Sequence, residues 1–295
     1  MKKFYFLMLC LLTLSVSAIA QTVKSVSSPD GNIKVDVRIG NGITYDVYCG
    51  EEKVLTDCRM SMDIEGNVLG SLPKLQSVKR QKVNDVKRPF LKLKFAEVPN
   101  NYNEMTLVMK GNYSVVFRAY NDGLAYRFVT SLKGEVKVNH EDITVFFPQD
   151  AQLVLQQSDR YRTSYEERYS FVKSSEWLSF QKMAHYPVLA ITSGGTKILM
   201  SESDLCDYPA PFFRSNDANG FSSVFPRVPA VEKPRSDKSN DVLLRHPYIA
   251  KTQGTRSFPW RYFVIAKDEA ALVTNTMTCC AQTIPSRAKD CRCIL

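Results

Sequence analysis

Between Phe117 and Phe128 the chain carries a short pattern that narrows its fold more than any other. Val115, Phe117 and Ala119 alternate with Val116, Arg118 and Tyr120, and Leu124, Tyr126 and Phe128 alternate with Ala125 and Arg127. Asn121, Asp122 and Gly123 lie between the two runs, and all three tolerate the positive φ angles of a tight hairpin. A period of two on both sides of such a turn predicts a half-buried antiparallel strand pair. Arg118 and Arg127 are then expected beside each other on the outward face, near Glu104 if the preceding strand pairs as well. On chemistry alone this is a sheet face lined with solvated charges.

The same alternation recurs along the chain. Pro29 to Asn32 reads as a turn, followed by Ile33, Val35, Val37 and Ile39, a two-residue hairpin signal at Asn41 and Gly42, and Ile43, Tyr45 and Val47. Further strands are expected at Cys58 to Ile64, Leu91 to Phe95, Thr106 to Met109 and Thr144 to Phe147. No window before Asp268 sustains the i, i+3, i+4 apolar spacing of a helix. Asp268 to Val273 is the one good short helix, with acidic residues at its positive end. Asn216 to Asp241, rich in Pro, Ser, Asn and Asp, reads as a long surface excursion. The fold class is therefore all-β, a large antiparallel sandwich, with no linker that would divide residues 22–275.

Residues 1–20 have the form of a cleavable secretory signal: basic Lys2 and Lys3, an apolar run from Phe4 to Val16, and small residues at Ala18 and Ala20. The run is too short to span a bilayer comfortably, so the mature protein is expected to be periplasmic or secreted, with no membrane span after cleavage. The net charge of +9 could favour nucleic acid. The basic residues, however, are interleaved at strand spacing, as in Lys34, Asp36 and Arg38, and export argues against a nucleic-acid partner. Eight cysteines occur. Cys49, Cys58 and Cys206 read as buried thiols or one chance pair. Cys279, Cys280, Cys291 and Cys293 lack the spacing of a zinc site and have no nearby His.

In order and spacing, several markers resemble the N-terminal domain of glycoside hydrolase family 97. They are Ser28 to Gly31, Tyr102 to Glu104, Phe117 to Arg127, Tyr165 to Tyr169, Ser201 to Leu205 with Asp207 to Pro209, and Pro259 to Arg261. The resemblance covers roughly residues 23–290. It implies a β-super-sandwich similar to galactose mutarotases, which in the family packs against a catalytic (β/α)8 barrel that follows in the chain. The family comprises bacterial α-glucosidases and α-galactosidases, so the implied ligand is an α-glucoside or α-galactoside. It also implies a glutamate that helps the barrel hold a calcium ion. The matching position is Glu166, with Glu167 the alternative because the doubled glutamate leaves the register open. One glutamate cannot supply the six to eight oxygens calcium prefers.

Glycoside hydrolysis needs two carboxyl groups across the scissile bond. In the family both come from the barrel, so no catalytic residue is assigned here and the chain is expected to be inactive alone. Glu202, Asp204 and Asp207 read as a solvated loop or as structural groups. His140, His185 and His246 form no defensible triad, and His185 reads as a strand-edge residue. Trp177 and Trp260 read as core. Residues 276–295 depart from the family and suggest a truncated linker ending in a Cys-rich tail, through a frameshift or early stop. The alternatives are a domain acting in trans with a separately encoded barrel, or a stand-alone periplasmic sugar-binding protein.

Overall fold

A computed structural model describes residues 21–89, 94–237 and 239–282. The expected signal at 1–20, Leu91 and Leu93 of one expected strand, and the tail containing Cys291 and Cys293 lie outside the described residues. Among those residues no helix is long and apolar enough to cross a membrane.

The chain runs through β1 (Thr22–Ser27), β2 (Ile33–Ile39), β3 (Ile43–Cys49), β4 (Glu52–Ile64), β5 (Asn67–Leu69), β6 (Leu75–Lys87) and β7 (Val98–Met109). Next come β8 (Tyr113–Tyr120), β9 (Gly123–Phe146), β10 (Gln152–Ser158), β11 (Tyr169–Lys173), β12 (Met183–Ile191) and β13 (Lys197–Ser203). It ends with β14 (Phe212–Ser215), β15 (Gly220–Val224), β16 (Pro229–Ser236), β17 (Ser239–Arg245), β18 (Ala250–Ser257), β19 (Trp260–Ala266), α1 (Glu269–Thr274) and α2 (Met277–Ala281).

The 24-residue β9 is the spine. Its first part pairs with β8 on one side and with β19 and β18 on the other, and its last part pairs with β4 and β15. From β19 the pairing continues to β13 and β12; from β15 it continues to β14, which also reaches β12. The strands β9, β19, β13, β12, β14 and β15 thus close a circuit, and all these pairings are antiparallel. Closure gives each strand of the circuit two strand partners, whereas β1, β5, β6, β11 and β18 each pair on one side only.

The main core lies inside the sandwich, where Val115, Phe117, Leu124, Tyr126, Phe128, Phe263 and their neighbours pack together. The opposite face of β7, β8, β9 and β19 is buried as well. Tyr102, Val116, Tyr120, Trp260, Tyr262 and Val264 form a second cluster there, capped by Met277, Cys280 and Ala281 of α2. This is why all seven residues of β19 are buried. The outward face carrying Arg118 and Arg127 is therefore covered, contrary to the solvated face expected from alternation alone. A period of two identifies one buried face and is silent on what covers the other.

The expected turn at Asn121 and Asp122 is present, with Tyr120 opposite Gly123 across the hairpin. Gly123 (φ +155°) is required: a Cβ there would lie 2.0 Å from the Phe263 carbonyl oxygen. The turn after β2 uses three residues, Gly40 to Gly42, because Gly40 N–H closes it on the Gly42 carbonyl at 3.0 Å. Phe95 lies in an irregular segment and not in a strand. The expected excursion over 216–241 instead holds β15, which pairs into the circuit, and the exposed hairpin β16–β17. The expected short helix is α1, whose Asp268 side chain accepts from Ala271 N–H at 2.8 Å.

Candidate functional site

Glu166 and Glu167 lie in the irregular segment between β10 and β11, and both are exposed. Arg162 of the same segment donates to Asp241 of β17 at 3.3 Å. Among the described residues no cluster of three or more His, Cys, Asp or Glu is placed to hold a metal ion. Calcium prefers six to eight oxygen ligands. Glu166, as an exposed carboxylate, has room to supply at most a share of such a set.

A second acidic centre lies inside the sandwich. Arg261 of β19 is fully buried, and its Nε and Nη2 donate to the two oxygens of Glu141 at 3.0 and 2.7 Å. Its Nη1 donates to Glu202 of β13, the residue directly opposite in the strand pair. Glu202 is thus a partnered interior group and not part of a solvated loop. Burial, reinforced by Glu141 and opposed by Arg261, pushes its carboxyl up to about 7. The rings of Tyr126, Tyr186 and Tyr208 enclose the group, and burial raises all three phenols well above their ordinary value. Tyr208 leans towards Glu141 without reaching hydrogen-bond geometry. Because both carboxylates are bound to one guanidinium, neither is presented as the free partner of a glycosidase pair.

On the far face of the same strands, side chains stack in layers. The Arg118 guanidinium lies 4.4 Å from the centroids of both Tyr102 and Trp260, and that of Arg127 lies 4.2 Å from the Trp260 centroid. Arg118 donates to Glu104 at 2.8 Å, as the strand pairing anticipates, and Arg127 is 3.7 Å from Asp204. Desolvated cation–π contacts of this kind contribute about 2 kcal/mol each. Trp260 is core as expected, and so is Trp177.

His185 is not at a sheet edge. It lies in β12, which has neighbours on both sides, and it is buried under Tyr165 and Phe212. Cys49 and Cys58 are buried free thiols, Cys206 is only half-buried, and Cys279 and Cys280 on α2 are free thiols as well. A groove of about 470 Å3 lies between β1 and the β6–β7 pair, lined by Ser25, Arg80, Lys82, Asn103 and Glu104. A hollow of about 300 Å3 lies beside Glu52, Gln149 and Thr192. Neither is lined by Glu166 or by the Arg261 group. Glu141 had no sequence signal: in Asn139-His140-Glu141-Asp142 it reads as one more surface acid, and its partner Arg261 is 120 residues away.

Taken together, the circuit of antiparallel strands and the interior ionic group define a large β-sandwich domain. Residues 26–280 match the family described as Glycosyl-hydrolase 97 N-terminal. A retaining alpha-galactosidase of Bacteroides thetaiotaomicron is 33% identical over 305 residues, covering 98% of this chain and 45% of that protein. Among solved structures, a Glycoside Hydrolase Family 97 enzyme from Pseudoalteromonas sp. strain K8, in complex with acarbose, superimposes with a TM-score of 0.70 at 19% identity. That match covers 86% of this chain and 37% of that one. A beta-arabinopyranosidase gives 0.69 at 20% identity, over 83% of this chain and 40% of that one. The chain belongs to the glycosyl-hydrolase 97 N-terminal family. It spans less than half the length of these relatives.

Proposed function

We propose that this chain is the carbohydrate-associated sandwich of a family 97 glycosidase acting on α-galactosides or α-glucosides, and that it does not turn over substrate by itself. It serves by docking onto a catalytic barrel and lending Glu166, or Glu167, to a calcium ion held mainly by that barrel. Export to the periplasm or beyond follows from the leader-like start and suits a polysaccharide-derived substrate. The observation that carries the reading is the 33% identity to a retaining alpha-galactosidase over nearly the whole chain, confined to 45% of that protein. Two features of the site agree with it: the interior carboxylates are both engaged by Arg261, and the exposed Glu166 and Glu167 are in the loop before β11.

The test is hydrolysis of aryl α-galactosides and α-glucosides by the purified chain, with and without calcium. No turnover above background is expected, and clear hydrolysis would overturn the reading. Adding a separately produced family barrel should give activity that Glu166→Gln lowers strongly, with Glu167→Gln as the control for register.

A further inference from the structure

The segment that carries Glu166 and Glu167 is not a free loop. At its start, the Ser158 hydroxyl donates to the Arg160 carbonyl at 2.8 Å and accepts from Arg160 N–H at 3.3 Å. Tyr161 packs edge-on against Phe212 with ring centroids 5.2 Å apart, and Arg162 reaches Asp241. Tyr165 then packs edge-on against His185 at 4.6 Å and lies 6.3 Å from Phe212. His185 and Phe212 are themselves direct partners across β12 and β14, and both are buried. They form a rigid shelf in the sheet, onto which two tyrosines of the segment are seated.

Tyr165 is the last of these anchors, and Glu166 and Glu167 follow it immediately. Its φ is +59°, a left-handed conformation that a bulky side chain holds only when its surroundings fix it. His185 Nδ1 is 3.0 Å from the Tyr186 carbonyl, so Nδ1 carries the proton and donates, and the ring is held in one orientation. That orientation presents the imidazole to the Tyr165 ring.

We propose that the His185–Phe212 shelf, by gripping the Tyr165 ring, positions Glu166 and Glu167 for a catalytic centre that lies outside this chain. Tyr165 is then a positioning residue. The proposal rests on the reading that one of these glutamates is lent to a partner.

The experiment uses the full chain and trypsin, because Arg160, Arg162 and Arg168 place cleavage sites on both sides of Tyr165. Tyr165 is about half exposed, so its replacement leaves the core intact. Tyr165→Ala should be cut at these arginines about tenfold faster than the parent chain, as expected when one aromatic contact holding a segment closed is removed. Its melting temperature should not change. Tyr165→Phe, which keeps the ring, should be cut at the parental rate. With an added barrel, Tyr165→Ala should lose most of the complemented activity and Tyr165→Phe should retain it.

Cleavage of Tyr165→Ala at the parental rate overturns the proposal, as does equal lability of the Phe variant. Faster cleavage with complemented activity unchanged also overturns it, since the segment would then be anchored to no functional purpose. If Glu166→Gln and Glu167→Gln both leave the complemented activity intact, the lent-carboxylate reading fails instead, and the tryptic rates still decide whether the shelf anchors the segment.

Discussion

Arg261 brings a full positive charge into a space otherwise filled with aromatic rings, and only its two carboxylates make that tolerable. Removing one partner of a buried ion pair leaves an uncompensated charge and costs about 3–5 kcal/mol. Arg261→Met should therefore destabilise the chain by that order in urea unfolding, and adding Glu141→Gln and Glu202→Gln should restore part of the loss. A loss under about 1 kcal/mol for Arg261→Met would mean that water or relaxation already solvates the group. With both carboxylates ionised the group carries one excess negative charge; with Glu202 neutral it balances. The folded chain thus holds the Glu202 proton up to about pH 7, whereas the unfolded chain releases it near 4.5. A raised pKa stabilises fully below the unfolded value and loses its effect as pH rises through the folded one. Stability should accordingly fall between about pH 5 and 8, by a few kcal/mol at most. Glu202→Gln, neutral at every pH, should flatten that slope. Parallel stability–pH curves for the two proteins would refute the assignment.

At the scale of elements, turn chemistry was legible and sheet continuity was not. Asn121 to Gly123 fixed the β8–β9 hairpin because few residues tolerate its geometry, and Asp268 marked α1 through its cap. The alternation that marks β9 in the sequence was followed only to Phe128. The chain continues through Gly134 (φ +68°) and stays paired to β18, a partner more than a hundred residues away. The same distance hid the Arg261 group, whose arginine was visible only as part of a Pro-Trp-Arg marker. Glu166 stood out only through family resemblance, because nothing in a solvated Glu-Glu pair distinguishes it locally. Two predictions belong here. Gly123→Ala forces a Cβ against backbone that cannot yield, and should cost about 3 kcal/mol or more, lowering Tm by roughly 5–10 °C. Replacing residues 229–245 by a short turn should leave Tm almost unchanged, because every residue of β16 is exposed and the hairpin pairs only with itself. A large drop in Tm would show that the hairpin braces the sandwich.

For the molecule as a whole, the core is closed on itself while the exposed apolar side chains are concentrated. Tyr165, Tyr169, Phe171, Leu178 and Phe180 fall within one stretch, and Val231, Leu243 and Leu244 fall on the β16–β17 hairpin. The Arg162–Asp241 pair links the segment that leads to Glu166 with the β16–β17 hairpin. Large apolar surface rimmed by charges commonly marks a contact with another protein. Phe171 is 74% exposed and Phe180 80%, so neither holds the sandwich together. Burying such a side chain against a partner contributes about 1.5–3 kcal/mol. Phe171→Ser combined with Phe180→Ser should therefore leave Tm and the circular dichroism spectrum of the chain unchanged. In equilibrium sedimentation with a family barrel, the double variant should bind at least about tenfold more weakly than the parent chain. If the barrel binds both equally well, this aromatic surface is not where the sandwich docks, and the neighbouring glutamates lose the contact that would bring them to a sugar pocket.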